Sequence, residues 1–541
     1  MQKLSYLLLF ILPFVSFSQE EEAWIYFTDK PNAQFYLDNP LEMLTQRALD
    51  RRAAQGIALQ LNDAPIEPLY VSQISDAQGI TLKAKSKWLN CVHVRGSVAD
   101  INALSDLSFV ESIDFADESI NVSGRQRINK PITPVNKSMD VAENFNYGNS
   151  QNQIQMLNGH LLHQANYTGT GKIIAVLDSG FINVDSTSPF NRLFDNNSIL
   201  GGYNFVSQSS DVYSLHNHGT LVLSCMGGFV DGQLVGTAPD AQYYLFVTED
   251  VTEENPVEES YWVEAAEEAD RLGVDIITTS LGYYGYDNPN YSHIYTNMTG
   301  NEAFASKGAN IAFSKGIIVV ASAGNSGGSP EPFNHISVPA EATNVLAVGA
   351  VTFDESYAGF SSIGPGYENR IKPELMAQGQ ASVVANTSGN IQTASGTSFS
   401  CPIMAGMIAS FWQAVPNLTN QQVLTLLRES GDRFTNPTPQ YGYGIPDFQL
   451  ALQNALLSTT QNQIERFQFF PNPTNGNVTF VIPSQSSPNE IKLYNSLGQL
   501  VFVSKVENQI QNIALDQLNS GMYYFTLDTS DQMYQGKIIK N

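Results

Sequence analysis

Cysteine is the scarcest feature of this 541-residue sequence, which contains only Cys91, Cys225 and Cys401. Three cysteines are too few for the disulfide framework of a small secreted scaffold, so apolar packing must hold the fold together. Cys225 and Cys401 could still form one bridge if Cys91 lies in a removable segment. Because buried free cysteine is common in proteins, we expect free thiols at both positions.

Basic residues are also in short supply. The chain has 27 Lys and Arg against 52 Asp and Glu, which gives a formal net charge of −25. Nucleic acids and anionic membrane surfaces both attract lysine and arginine, so the charge excludes them as expected partners. Residues 249–259 form an acidic loop. Such a run is usually a solvated surface, with a calcium site and attraction for basic peptides as the alternatives.

Long apolar runs are missing except at the N-terminus, which reads MQKLSYLLLFILPFVSFSQE. One lysine, an apolar core and small residues at Ser16 and Ser18 are typical of a secretory signal peptide, with cleavage after Ser18. A membrane anchor is the weaker interpretation because the apolar run is short and Pro13 interrupts it. The sequence therefore predicts a signal peptide over residues 1–18 and an exported protein that is soluble once processed.

The composition changes twice along the remaining chain. Residues 19–140 mix strand-like and helix-like runs and end in a polar, proline-bearing linker, which indicates a small α+β unit with processing sites. From residue 145 to 456, apolar strands alternate with helices, a pattern that predicts a parallel sheet covered on both faces. Residues 463–541 contain short alternating segments that predict a small antiparallel β-sandwich. A carbohydrate-binding sandwich is one such domain, but no aromatic platform stands out to support it.

Ligands bind beside the carboxyl ends of the strands in a parallel sheet, and polar residues are found there. Asp178 ends the first apolar strand of the central unit, His218 precedes an apolar helix, and Asn325 follows a later strand. An amide at such a position could donate a hydrogen bond to an oxyanion. Taken singly, Asp178 could equally cap a turn, a lone histidine is more often structural than a base, and Asn325 could be an ordinary turn residue. His216 and His218 form a His-x-His pair, but no third ligand has zinc spacing.

One further segment, residues 396–402, reads GTSFSCP and leads into a run with apolar residues at helical spacing. This spacing predicts a helix packed against a core. We expect Pro402 in the first turn of that helix, where its missing N–H would be unpaired in any case. Ser398 then lies at the helix N-terminus, either as a cap or as a nucleophile served by a base and an acid from elsewhere.

Together these residues supply every part of a nucleophilic site, in the chain order Asp, His, Ser. Over about residues 145–456 the sequence resembles the subtilisin-like serine peptidases, or subtilases. The motifs that carry this resemblance are Asp178-Ser179-Gly180, His218-Gly219-Thr220, Gly236-Thr237-Ala238-Pro239, Ser280-Leu281-Gly282, Lys372-Pro373-Glu374, and Gly396-Thr397-Ser398 with Pro402. Ser179 stands where threonine is usual and Phe399 where methionine is common.

The resemblance implies a subtilisin-like α/β fold, with a parallel sheet flanked by helices, a small α+β propeptide before it and a small β-sandwich after it. It also implies that Asp178, His218 and Ser398 form a triad that hydrolyses protein or peptide substrates through an acyl-enzyme. No cofactor is needed for that chemistry; a structural calcium ion, common in subtilases, is left open without named ligands. The other implied site residues are Asn325 in the oxyanion hole and Ser280, Leu281, Gly282, Ala323 and Gly324 along the bound substrate.

The flanking units extend the resemblance. A folded unit ahead of a subtilase resembles its propeptide, which implies a zymogen whose own propeptide is an intramolecular inhibitor. The C-terminal unit, with Phe470-Pro471-Asn472-Pro473 and a final Gly536-Lys537-Ile538-Ile539-Lys540, resembles the sorting domain of the bacterial type IX secretion system. This implies outer-membrane secretion machinery as a partner, export through the periplasm and outer membrane, and a secreted or cell-surface location.

Two other functions fit the sequence less well. A catalytically inactive cell-surface binding protein could use a subtilase scaffold, but such a protein is expected to lack a triad member, and all three are present. A glycosidase could use paired carboxylates such as Glu264, Glu267 and Glu268. Their place on a helix between two strands instead favours a solvated helix face.

Overall fold

The computed structural model describes residues 20–121, 145–464, 468–482, 488–506, 510–529 and 533–541. The predicted signal peptide and most of the predicted linker lie outside the described residues. The chain divides into two compact units, Met1–Ala451 and Leu452–Asn541. None of the helices within the described ranges combines the length and apolar character needed to cross a bilayer.

The N-terminal domain contains four strands and four helices, which are β1 (Glu20–Phe27), α1 (Ala33–Asp38), α2 (Gln46–Ala54), α3 (Pro68–Ser75), β2 (Ile80–Ser86), β3 (Cys91–Ser97), α4 (Val98–Ala103) and β4 (Val110–Phe115). The strands form an antiparallel sheet in the order β2-β3-β1-β4. Alternate side chains of β1 face different layers. Ala23 and Ile25 pack into the domain's own core, whereas Trp24 packs with residues of the central domain.

The central domain is built around strands and helices in alternation, as the apolar pattern predicts. Its strands are β5 (Ile173–Asp178), β6 (Ile199–Asn204), β7 (Phe229–Val230), β8 (Leu234–Val235), β9 (Gln242–Val247), β10 (Ile276–Thr279), β11 (Ile318–Ser322), β12 (Leu346–Val351), β13 (Leu375–Gln378), β14 (Ser382–Ala385) and β15 (Ile391–Ala394). Seven of them form one parallel sheet in the order β13-β12-β11-β10-β5-β9-β6. The predicted fold class is confirmed.

Helices cover both faces of this sheet. They are α5 (Gln151–Gln155), α6 (Gly159–Gln164), α7 (Asn191–Asp195), α8 (His218–Gly227), α9 (Val257–Leu272), α10 (Phe304–Ser314), α11 (Thr397–Ala414), α12 (Asn420–Glu429) and α13 (Phe448–Ile464). Helix α11 packs against α8 and against strands β10 to β13. Its residues 397–412 are all buried. On the opposite face, α9 and α10 share a core with Ala175 and Leu177 of β5.

The C-terminal unit is an antiparallel β-structure, as its alternating segments predict. Its strands are β16 (Gln468–Phe470), β17 (Asn477–Val481), β18 (Pro488–Tyr494), β19 (Leu500–Lys505), β20 (Ile510–Ala514), β21 (Gly521–Thr529) and β22 (Met533–Lys540). They form a three-stranded sheet, β16-β17-β20, and a four-stranded sheet, β19-β18-β21-β22. Phe480 and Phe525 meet edge to face in the core, with ring centroids 5.1 Å apart.

All three cysteines are buried free thiols. The bridge between Cys225 and Cys401, left open by the sequence, does not form. Each thiol instead contacts a main-chain carbonyl of its own surroundings, Leu221 for Cys225 at 3.7 Å and Thr279 for Cys401 at 3.5 Å. Burial raises the pKa of both thiols, so they behave as small apolar side chains.

A buried histidine gives the central domain a pH-dependent stability. Tyr147 donates to Nδ1 of His163 at 2.9 Å, and Nε2 donates to the carbonyl of Thr237 at 3.1 Å, which fixes a neutral imidazole. Burial lowers the pKa of His163 to about 4. The unfolded chain binds this proton near pH 6.5 and the folded chain resists it, so stability falls as the pH decreases from 6.5 towards 4.

When the pH is lowered from 6.5 to 4.5, we expect the free energy of unfolding of His163→Gln to fall by about 2 kcal/mol less than that of its parent. The variant lacks the group whose unfolded form takes up a proton in this range. Urea unfolding followed by tryptophan fluorescence would measure this, in a chain that also carries Ser398→Ala to prevent proteolysis. His216→Gln, which changes an exposed histidine, is the control and should follow the parent. Parallel curves for the parent and His163→Gln would contradict the assignment.

Candidate active site

The carboxyl ends of β5, β10 and β11 bring three predicted segments to one edge of the sheet. These strands are parallel neighbours, with β10 between the other two. Asp178 is the last residue of β5, Ser280 follows β10, and the segment Ala323–Asn325 follows β11. Helices α8 and α11 start at the same edge and carry His218 and Ser398 in their first turns.

Asp178 and His218 form a direct pair. His218 Nδ1 lies 2.8 Å from one carboxylate oxygen of Asp178 and 3.1 Å from the other. Asp178 is fully buried and also accepts the main-chain N–H of Ser179 at 2.8 Å. Burial by itself would lower the pKa of His218, but the adjacent carboxylate outweighs burial and raises it. With Nδ1–H donated to Asp178, Nε2 is the free, basic nitrogen.

The first histidine of the His-x-His pair forms hydrogen bonds beside the Asp178–His218 pair. His216 Nδ1 lies 3.0 Å from the hydroxyl of Ser179 and 3.4 Å from the main-chain nitrogen of His218. Within the described ranges, no group of three or more His, Cys, Asp or Glu side chains is placed to hold a metal ion.

Ser398 and Ser280 exchange hydrogen bonds. The hydroxyl of Ser398 donates to the carbonyl of Ser280 at 3.3 Å, and the hydroxyl of Ser280 donates to the carbonyl of Ser398 at 2.9 Å. The second bond depends on Pro402. We expected this proline in the first turn, but α11 begins at Thr397 and Pro402 is its sixth residue. Pro402 has no N–H for the carbonyl of Ser398, four residues earlier, and Ser280 takes that place.

The side-chain amide of Asn325 is oriented by Thr397, which the sequence interpretation did not single out. Asn325 Oδ1 accepts the main-chain N–H of Thr397 at 2.8 Å and its hydroxyl at 3.1 Å. The same hydroxyl accepts the N–H of Gly324 at 3.2 Å. Asn325 itself is exposed, so its side chain is accessible while its oxygen is held. The sequence signal for this contact is the threonine that directly precedes Ser398.

The predicted substrate-binding residues are only partly at the surface. Gly282 is exposed and Leu281 half-buried, so this edge remains accessible to an extended chain. A Cβ at Gly282 would lie 2.4 Å from the hydroxyl of Ser337, so a larger residue there would require Ser337 to rotate. Ala323 is fully buried and its N–H is bonded to a carbonyl of β12, so the structure does not bring it to the cleft. Gly324, with φ of +103°, is half-buried.

The acidic loop is a solvated surface only in part, because Glu254 is exposed whereas other carboxylates of the run are not. Glu258 is buried and Glu249 half-buried. Glu249 accepts the hydroxyls of Tyr283 at 2.7 Å and Thr248 at 2.9 Å, while Glu258 accepts the N–H of Asp250 at 2.9 Å. Burial, followed by their mutual repulsion at Glu258, raises the pKa of both carboxyl groups. Glu258 is thus bonded within the loop, and Glu249 is bonded to Tyr283, which directly follows the predicted substrate-binding residues. The run of charges in the sequence does not reveal these partners.

The three glutamates considered for a glycosidase lie on α9 and serve other purposes. Glu267 is buried and accepts hydrogen bonds from the N-terminal domain, from the hydroxyl of Ser86 at 2.6 Å and the N–H of Trp88 at 2.9 Å. The predicted solvated face is therefore wrong for Glu267. Glu264 faces Lys85 at 3.7 Å, and Glu268 forms an exposed ion pair with Arg271.

Comparison with known families agrees with this geometry. The sequence model described as the Subtilase family matches residues 169–445. The chain belongs to the subtilase family. Two further models match the flanks of this subtilase, a peptidase S8 propeptide domain of Bacteroidota at residues 22–132 and a secretion system C-terminal sorting domain at residues 468–541. The type IX sorting domain indicates export, with secretion or cell-surface attachment.

Individual relatives of this subtilase are bacterial subtilisins. Subtilisin NAT of Bacillus subtilis subsp. natto is 30% identical over 316 residues, which is 58% of this chain and 73% of the relative. Subtilisin of Bacillus pumilus is 30% identical over 314 residues, 58% of this chain and 100% of the relative. A solved structure, the epidermin leader peptide processing serine protease of Staphylococcus aureus, has a TM-score of 0.52 at 16% identity and covers 81% of this chain and 99% of its own. That likeness shows the fold; the family and the subtilisin relatives support a serine-type endopeptidase.

We expect Asp178→Asn to lower the pKa of His218 by about one unit or more, because the charge that stabilises the imidazolium is removed. The measurement is an NMR titration of the seven histidines, labelled at Cε1, in a chain that also carries Ser398→Ala. His218→Gln assigns the resonance, and Glu429→Gln, which removes an exposed carboxylate, is the control. An unchanged midpoint in Asp178→Asn would contradict the direct ion pair.

Proposed function

We propose that this subtilase is a secreted serine endopeptidase made as a zymogen, in which Asp178, His218 and Ser398 form the catalytic triad. The observation that carries the proposal is the Asp178–His218 pair, held at 2.8 Å beside the first turn of the helix that presents Ser398. A buried carboxylate that fixes Nδ1 leaves Nε2 as a general base, the arrangement that activates a serine hydroxyl.

The mechanism starts with a rotation of the Ser398 side chain. Its hydroxyl donates to the carbonyl of Ser280 in the structure. Rotation about χ1 would direct the hydroxyl towards His218 Nε2. Hydrogen bonds between catalytic groups commonly tighten only when substrate is bound. His218 then takes the proton as Ser398 Oγ attacks the peptide carbonyl. Asp178 stabilises the resulting imidazolium. The proton passes to the leaving amine, and water hydrolyses the acyl-enzyme by the same base.

The oxyanion of the tetrahedral intermediate would be bound by two donors. One is the Nδ2 of Asn325, whose oxygen is fixed by Thr397. The other is the main-chain N–H of Ser398, which lies in the first turn of α11 and has no partner within the helix. Donors held in place before the reaction stabilise the transition state without reorganisation.

Substrates are expected to be proteins or peptides in extended conformation. An extended chain could add a strand along Ser280, Leu281 and Gly282, where the main chain forms an accessible edge beside Ser398. The chemistry needs no cofactor. A structural calcium ion remains an expectation from the family, without named ligands.

The two flanking domains are expected to control inhibition before processing and export of the enzyme. The described part of the N-terminal propeptide domain ends next to residues that follow the predicted substrate-binding segment of the central domain. There, Asn290 donates to Asp117 at 2.9 Å and Asn297 donates to Glu118 at 3.3 Å. We expect this domain to act as an intramolecular inhibitor until the chain is cut after it. The sorting domain would direct the protein to the outer-membrane secretion machinery. The complete set of catalytic groups disfavours an inactive binding protein.

Comparison of the wild-type chain with Ser398→Ala tests the proposal. We expect only the wild type to digest casein, to react with a fluorophosphonate and to produce a new N-terminus within residues 122–144. Gel electrophoresis and mass spectrometry would measure all three. Thr425→Ala, an exposed hydroxyl on α12, is the control. A folded wild type that stays inert and unlabelled, even after its N-terminal unit is removed, would indicate the binding-protein alternative.

Asn325→Ala is expected to lower kcat by about 10²–10³ with little change in KM, because it removes a donor used mainly in the transition state. This magnitude is that of an oxyanion-hole donor in subtilisin. Steady-state kinetics on a peptide substrate would measure the effect. Asn386→Ala, which changes an amide in the loop between β14 and β15, serves as the control. A rise in KM alone would assign Asn325 to substrate binding.

A further inference from the structure

Glu249 of the acidic loop lies just beyond the strand that neighbours the proposed triad acid. Strand β9 runs parallel to β5, and its last residue, Val247, is paired in register with Asp178. The main-chain N–H of Thr248 donates to the carbonyl of Asp178 at 3.1 Å. Glu249 is the next residue along the chain. Its main chain is therefore tied closely to the end of the strand that carries Asp178.

The carboxyl group of Glu249 is bonded to a side chain from another segment. Its Oε1 atom accepts the hydroxyl of Tyr283 at 2.7 Å and the hydroxyl of Thr248 at 2.9 Å. Tyr283 is 3% exposed, and its hydroxyl also lies 3.5 Å from the carbonyl of Glu258. A buried phenol hydroxyl needs a hydrogen-bond partner. Because the bond to Glu249 is much the shorter of the two, it is the one that fixes the tyrosine.

Tyr283 directly follows the predicted substrate-binding segment, residues 280–282. Its main-chain N–H donates to the carbonyl of Val338 at 2.8 Å, and its carbonyl accepts the N–H of Val338 at 3.1 Å. At the other end of the segment, Ser280 and Ser398 exchange hydrogen bonds at 2.9 and 3.3 Å. The substrate-binding segment is therefore fixed at both ends.

The middle of the substrate-binding segment is free to pair with another chain. Within the part of the protein that the structure describes, the main-chain groups of Leu281 and Gly282 form no hydrogen bonds with other main-chain groups. Leu281 is half-buried and Gly282 is exposed. Unpaired main-chain groups at an accessible edge can add an extended peptide as a further strand. The position of such a peptide depends on where the two ends of the segment are held.

Glu249 acts on this site from outside the reacting groups. Among the described residues, the ring of His218 is bonded to Asp178 and not to Glu249. Burial lowers the pKa of His218, whereas Asp178 and, after it, Glu249 raise that pKa. Glu249 could thus affect catalysis through its charge or through its bond to Tyr283. The bond has the more direct route, because it reaches the residue that ends the substrate-binding segment.

We propose that Glu249 is a positioning residue for substrate, which holds the substrate-binding segment in place beside Ser398 through its hydrogen bond with Tyr283. Loss of this bond lets the far end of the segment shift, so a long peptide that pairs with the segment binds less well. A substrate too short to pair along the segment is unaffected. The inference rests on the proposed function, since it concerns substrate binding at the same site.

Two substrates separate positioning from general damage to the enzyme, a long fluorogenic peptide and the ester of a single acylated amino acid. For processed Glu249→Ala, we expect KM for the peptide to rise about tenfold, while kcat/KM for the ester stays within about twofold of the wild-type value. Glu249→Gln keeps Oε1 as an acceptor but removes the charge, so KM for the peptide should stay near that of the wild type. Steady-state kinetics measure both. A rise in Glu249→Gln as large as that in Glu249→Ala would assign the effect to charge and overturn the proposal.

Tyr283→Phe tests the same bond from the donor side and removes only one oxygen atom, so it carries the test if Glu249→Ala does not fold by circular dichroism. We expect the same selective rise in KM for the peptide. The double variant should raise KM no more than the larger single effect, because both changes remove one interaction. Single effects that multiply in the double variant would overturn the proposal. Tyr286→Phe is the control, since it removes a bond of 2.7 Å to the neighbouring Glu259 and should leave both substrates unchanged.

The wild-type enzyme distinguishes this inference from the proposed function. If the processed wild type hydrolyses neither substrate, the proposed function fails and the positioning role fails with it. If the wild type hydrolyses both, and Glu249→Ala changes both by the same factor or changes neither, the proposed function stands and the positioning role is refuted. A rise in KM confined to the long peptide supports the positioning role.

Discussion

The structure depends on one buried helix, α11, which crosses the face of the sheet and presents Ser398 at the edge where the strands end. A helix buried along its whole length has a fixed position, since every turn packs against β10 to β13 or α8. Pro402 removes one hydrogen bond of this helix, and Ser280 replaces it. The hydroxyl of Ser280 thus joins the end of the strand to the carbonyl of Ser398, which the helix leaves without a main-chain donor. This explains how an apolar helix positions a polar site.

The same constraint accounts for the distribution of buried charge. Burying an ionised group is costly unless it has partners, and the buried carboxylates of Asp178 and Asp270 each have partners on other segments. Asp178 is paired with His218, and Asp270 with two arginines of the N-terminal domain. Part of the acidity of the sequence is therefore structural. The acidic loop and α9 use their carboxylates to fix neighbouring segments.

Local patterns in the sequence were sufficient to predict the sheet, its helices and the positions of Asp178, His218 and Ser398. Strand ends and helix starts are local features, and a parallel sheet brings them together by geometry alone. Partners distant in sequence left no such signal. Nothing near Glu267 indicates that it accepts hydrogen bonds from Ser86 and Trp88, about 180 residues earlier. The sequence also did not reveal that Pro402 lies beyond the first turn of α11. Ser280, which bonds the carbonyl that Pro402 leaves without a donor, is distant in sequence.

The two edges of the sheet have different requirements, and this separation explains the architecture. Catalysis needs exposed donors and a base at the carboxyl ends, where short loops leave a cleft. At the amino ends, Asp270 and Lys315 are charged groups that α2 and its neighbours remove from water and neutralise. Without the N-terminal domain these charges would be solvated, but Phe304 and the α9 face would lose their apolar cover. The domain therefore completes the core of the central domain.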